Sequence, residues 1–186
     1  MVRDNRGNRL FSSPDFNISG DGEDHSTAKA SERLLSDCNF QCRALEAAHE
    51  NINKNLTKQP EGSPWSDIFV PRSKGCAAAM SNLLLKSQPD FGVENFEINV
   101  DGFEEMLRQE YSAKPINDVS TVSEGDFVIG RGAKDGGRHV GMIGEEQDGV
   151  RYVYHNASGK MVKEPLEKVF SDSRFSEVYA LRVPEQ

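Results

Sequence analysis

The sequence predicts an α+β fold in which N-terminal helices pack on an antiparallel β-meander. Two observations carry this. Between residues 31 and 111 the apolar side chains recur at steps of three and four, and after Pro115 they alternate with polar ones at period two between Gly-rich turns. Helices first and consecutive strands afterwards is the order of an α+β domain, not of a wound parallel sheet. A third observation bounds the size: 186 residues with a 36% hydrophobic fraction suit one domain with appendages.

Each element follows in order. Residues 1–30 are mostly Asp, Asn, Ser, Gly and Arg. They read as a flexible tail, because so few apolar groups cannot offset the entropy of ordering. Residues 31–61 read as an N-terminal helical segment. Ser31 is its N-cap, and Leu34, Leu35, Cys38, Cys42, Leu45 and Ala48 form one stripe that fades near Asn53. Gln59 to Pro71 is a loop that Trp65, Ile68 and Phe69 are expected to pack down.

Residues 62–186 form the core. A helix starts at Cys76 after the tight turn that Gly75 permits, and it is apolar almost all round, hence buried. A further helix starts near Asp101, with Phe103, Met106, Leu107 and Tyr111 on one face. Strands are expected at Asp126–Gly130, His139–Gly144, Val150–His155, Lys160–Lys163 and Glu177–Val183, with a short helix from Pro165 to Phe170. Asp135-Gly136-Gly137 and Asp148-Gly149 are the hairpin signals.

Charge narrows the partners. The net charge is −8 and Lys and Arg are scattered, so the positive stripe that a nucleic-acid binder needs is missing. Anionic membrane surfaces are disfavoured on the same ground. No run of about 18 apolar residues is present to span a membrane. Met1 to Leu10 has no apolar stretch of a secretory signal, so the chain is expected to be made in the cytoplasm without one. Three cysteines do not make a disulfide framework, and Cys38 and Cys42 read as small buried hydrophobes. No metal-ligand set completes around them, and neither metal nor organic cofactor is expected. Glu104-Glu105 and Glu145-Glu146 read as solvated faces, His25 as a tail residue and His49 as a polar helical position.

The chemistry centres on Cys76. The unpaired N–H groups and dipole at a helix N-terminus favour an anion, so a cysteine there is expected to have a lowered pKa. A core cysteine is the alternative reading of the residue by itself. His139 opens the strand His139-Val-Gly-Met-Ile143 and is placed to act as general base. His155 ends the next strand, so a hairpin returns it to the same edge, where it can fix the tautomer of His139. Asn156 is the rival for that role, on the other face of the strand.

The order of Cys at a helix start, Glu124-Gly125-Asp126-Phe127-Val128, His139-Val140-Gly141-Met142-Ile143 and Tyr154-His155-Asn156-Ala157-Ser158 resembles the NlpC-type cell-wall endopeptidases, papain-like relatives of the CHAP amidases. The resemblance covers residues 62–183. It implies a papain-like fold with Cys76 as nucleophile, His139 as base and His155 as orienting residue. Cys76 N–H would be the first oxyanion donor, with the Trp65 indole N–H standing in for an upstream tyrosine that this chain lacks before Tyr111. The chain departs from the family at Lys74-Gly75 and Ala77-Ala78, where an Asp before the Cys and a Ser-Gly after it are usual.

The resemblance implies a cysteine peptidase or amidase that hydrolyses amide bonds of peptidoglycan stem peptides through a thioester. Without a signal peptide, such an enzyme fits a secreted antibacterial effector acting in a rival's periplasm, with a secretion-system component and an immunity protein as partners. A protein deamidase, transglutaminase or acyltransferase on the same fold is the second reading, because nucleophile and scaffold are shared. A catalytically inactive binding module is the third.

Overall fold

An asparagine opens the first helix. The computed structural model describes residues 39–71, 74–132 and 137–185, all within the unit Leu35–Gln186. The expected tail, the Ser31 cap, Cys38 and most of the Asp135–Gly137 turn lie outside the described residues. Helix α1 (Phe40–Glu50) is capped by the Asn39 side chain, which accepts from the Cys42 N–H at 3.0 Å. Asn39 is extended, so no single helix runs through from residue 31 to residue 53. Phe40, Ala44, Ala47 and Ala48 are the buried positions of α1, whereas Cys42 and Leu45 are only half-buried. The expected stripe is therefore rotated. Cys42 is also disulfide-bonded, which corrects its reading as a small core hydrophobe.

The loop after α1 is tied to the next helix by Asn82, whose amide donates to the Leu56 and Lys58 carbonyls at 2.7 and 2.8 Å. Its apolar residues do not pack it down as a group. Trp65 is half-buried, but Ile68 is 49% exposed and Phe69 87%. Helix α2 (Cys76–Ser87) is buried over most of its surface, as its Ala and Leu content dictates. Helix α3 (Val100–Glu110) is capped by Asn99, which accepts from the Gly102 N–H at 2.7 Å. Asp101, near which the helix was expected to start, lies in its first turn and pairs with Arg131 and Arg138.

Six antiparallel strands follow: β1 (Lys114–Ile116), β2 (Phe127–Arg131), β3 (His139–Gln147), β4 (Val150–Ala157), β5 (Lys160–Pro165) and β6 (Glu177–Arg182), with helix α4 (Leu166–Val169) before the last. The order β1-β6-β2-β3-β4-β5 makes β2 to β5 a meander, with β6 returning beside β2. The three-residue β1 carries too little alternation to be seen in sequence. Asp148 and Gly149, at φ 52° and 75°, form the β3–β4 turn that their types favour.

The sheet has two buried faces. Phe127, Ile129, Val140, Met142, Tyr154 and Leu181 pack with the helices, and Cys76 belongs to this cluster. Val128, Ile143, Val153 and Ala180 pack instead with Val169, Phe170 and Phe175 from the α4 region. Alternation along β3 and β4 therefore puts His139, Gly141, Val153 and His155 on the second face. Glu104, expected in solvent, is buried on α3 and accepts from Tyr179, Arg131 and Arg108. Burial raises its carboxyl pKa, but these three donors outweigh it and hold the pKa low. Glu145 is also drawn in, bonded to the Tyr154 hydroxyl and Lys163, and His49 bonds that same hydroxyl.

Candidate active site

Cys76 is the first residue of α2, with Gly75 as N-cap and no side chain capping the helix. The backbone N–H groups of Val140, Ala77 and Cys76 act to lower its thiol pKa. They favour a thiolate, as a helix N-terminus should. Burial opposes them and wins: the thiol is 7% exposed and its pKa is raised. The expected lowering does not occur in this closed site, because few waters remain to solvate the anion.

His139 and His155 meet directly. His139 Nε2 lies 3.0 Å from His155 Nδ1, with the rings nearly perpendicular. Register explains this. Gly141 pairs with His155, so His139 sits one pleat along on the same face. A Cβ on Gly141 would stand 2.9 Å from the Tyr154 carbonyl oxygen and 3.2 Å from His155 Cβ, so only glycine lets the strands approach here. Asn156, the rival orienter, is on the opposite face and buried.

The chain of hydrogen bonds continues past the histidines. His155 Nε2 lies 3.0 Å from Glu164 Oε2, and Glu164 Oε1 pairs with Lys168. Lys168 first, and then His155, hold the Glu164 pKa below its ordinary value. An ionised carboxylate only accepts, so His155 Nε2 must carry a proton. Burial keeps His155 neutral, with its pKa lowered despite Glu164. Its Nδ1 is then an acceptor and takes the Nε2–H of His139. The Nδ1 of His139 is left with a lone pair and no hydrogen-bond partner among the described residues. Burial, then His155 and Arg174, push the His139 pKa down to about 3, so this imidazole is neutral at ordinary pH.

The structure thus joins His139 to His155, and the N–H of Val140, one residue from His139, favours the Cys76 thiolate. No hydrogen bond joins Cys76 to His139 in this state. The sulfur reaches β3 from the helix face and the imidazole lies on the other. Trp65 has a buried indole N–H with no partner among the described residues, and neither a hydrogen bond nor a ring contact links it to Cys76. Neither the cleft beside Lys54, Asn82 and Lys86 nor the one beside Val119, Val150 and Phe170 is lined by Cys76 or His139. No group of three His, Cys, Asp or Glu among the described residues could hold a metal ion. No helix among them is long and apolar enough to cross a membrane.

Sequence reasoning missed Glu164 and Phe170. Phe170 packs against the His139 ring in a tilted arrangement, with centroids 5.4 Å apart. Glu164 was legible in principle. His155 pairs with Val162, so Glu164 shares their face, but the expected strand ended at Lys163, one residue short. Comparison with known proteins adds no relative: no family model, no curated protein and no solved structure matches this chain.

Proposed function

We propose that this chain is a papain-like cysteine hydrolase of NlpC type, cleaving amide bonds of peptidoglycan stem peptides through a thioester. The observation that supports it best is the chain Glu164–His155–His139, whose donor order leaves an unprotonated Nδ1 on His139, one residue from the Val140 N–H that favours the Cys76 thiolate. In this reading His139 Nδ1 takes the thiol proton as sulfur adds to the amide carbonyl carbon. The Cys76 N–H supports the oxyanion. Collapse of the adduct breaks the C–N bond, and the leaving amine takes the proton from Nδ1. Water, deprotonated at Nδ1, then adds to the thioester. The acid departs and the thiol regains its proton. His155 stays neutral throughout and holds the ring.

Substrate entry must bring sulfur and imidazole together, since both are almost fully covered. That closure is the observation favouring the alternative, an inactive binding module. One experiment separates them: incubate purified muropeptides with the native protein and with Cys76→Ala, and identify products by mass. Cleavage lost in Cys76→Ala supports the hydrolase. Intact muropeptides with both proteins refute it.

A further inference from the structure

A polar cleft stands beside the helix that carries Cys76. It has a volume of about 740 Å³ and lies between the end of α1, the loop that follows and the second half of α2. Lys54, Lys58 and Lys86 line it, and so do Glu61 and Asp67. None of these five side chains makes an ion pair or a hydrogen bond among the described residues, although both signs of charge share one cavity. Its apolar lining is confined to Leu56 and Pro60.

The walls are fixed before any ligand arrives. The Asn82 amide spends both hydrogens on the Leu56 and Lys58 carbonyls, and the Gln59 amide donates to the Ile68 carbonyl at 2.8 Å. The Asn53 N–H and the Lys54 carbonyl bond the backbone of Met161 on β5, at 2.8 and 2.9 Å. Asn55 Oδ1 accepts from both the N–H and the hydroxyl of Thr57. What these bonds leave over is an acceptor on Asn82 and a donor on Asn55. Donors and acceptors are thus interspersed around a preformed cleft.

This mixture selects the ligand class. A phosphate dianion only accepts, and it would meet Glu61 and Asp67 as like charges. An apolar side chain would find only Leu56 and Pro60 to pack on. A hydroxyl both donates and accepts, so a ligand rich in hydroxyls satisfies ammonium, carboxylate and amide alike. Asn82 and Lys86 stand six and ten residues along α2 from Cys76, about 9 and 15 Å at the rise of an α-helix.

We infer that this cleft is a saccharide-binding site that takes a short neutral oligosaccharide. The choice of an N-acetylated sugar, the kind found in peptidoglycan, rests on the hydrolase reading; the site itself does not.

The native full-length protein, labelled with 15N, is titrated with triacetylchitotriose and, separately, with tripolyphosphate, and backbone amide shifts are followed. The trisaccharide is expected to bind with a Kd on the order of 1 mM and to shift amides within residues 54–67 and 82–86. Asp67 and Lys86 are exposed, so Asp67→Ala and Lys86→Ala should leave the fold intact. Each should weaken binding by roughly threefold or more. Lys114→Ala, on β1 and outside the cleft, should change it by less than about 1.5-fold. No saturable shift, shifts that map elsewhere, or equal binding by the native protein and both cleft variants overturns the proposal. Tighter binding of tripolyphosphate than of the trisaccharide overturns it too. The titration reads no turnover: uncleaved muropeptides sink the hydrolase reading and leave the saccharide site standing, while absent binding does the reverse.

Discussion

Removing Glu164 tests the relay at its outer end. In Glu164→Ala the buried His155 Nε2–H loses its only acceptor among the described residues, and nothing then favours one His155 tautomer over the other. A hydrogen bond between a carboxylate and a buried imidazole is worth about 1.5–3 kcal/mol. Glu164 is 29% exposed at its side chain, so the lower half of that range applies. If that preference is felt fully at His139 Nδ1, the rate falls by on the order of 10- to 100-fold. Glu164→Gln should lie between, since its amide can present either oxygen or nitrogen to His155. The assay is the hydrolysis rate on one amide peptide, with imidazole 15N shifts to read which nitrogen carries the proton. Glu164→Ala with unchanged rate and unchanged His139 tautomer would refute the reasoning.

Three further outcomes follow from the same geometry. His139 is neutral in the native state down to about 3, but the unfolded chain protonates near 6.5, so the unfolded state binds more protons between these values. Stability should fall as pH drops through that window, by on the order of 2 kcal/mol between pH 6.5 and about pH 5, and denaturant titrations of His139→Gln should show a flatter profile. Gly141→Ala pushes a methyl against the Tyr154 carbonyl, which cannot yield as a side chain can; unfolding should cost about 1–3 kcal/mol less, with turnover lost through displacement of His155. Glu104→Ala removes the shared acceptor of the Tyr179 hydroxyl, Arg131 and Arg108, leaving Arg131 with Asp101 and Tyr179, and the free energy of chemical unfolding should fall by about 1–3 kcal/mol, whereas Glu105→Ala should change it by less than about 0.5 kcal/mol.

Much of the fold was legible in sequence because period and turn chemistry are local. The Asp148-Gly149 turn and the alternation in β3 and β4 gave the hairpin, and the hairpin gave the meeting of His139 with His155. What escaped depended on neighbours far along the chain. Asn39 caps α1, a role its residue type permits but which the periodicity alone did not single out. Glu104 looked solvent-exposed beside Glu105 until Tyr179 and Arg131 arrived from strands β6 and β2. The Cys76 pKa failed for a related reason. The helix terminus is a sequence feature, but the water around it is set by the rest of the fold.

The candidate pair is divided between two hydrophobic layers. Cys76 belongs to the helix layer, while His139 and its supports rest on the layer built around Phe170 and Phe175. The sheet lies between the two layers, so each candidate residue is buried by its own set of neighbours. Substitutions within one layer should therefore disturb its own candidate residue before the other's.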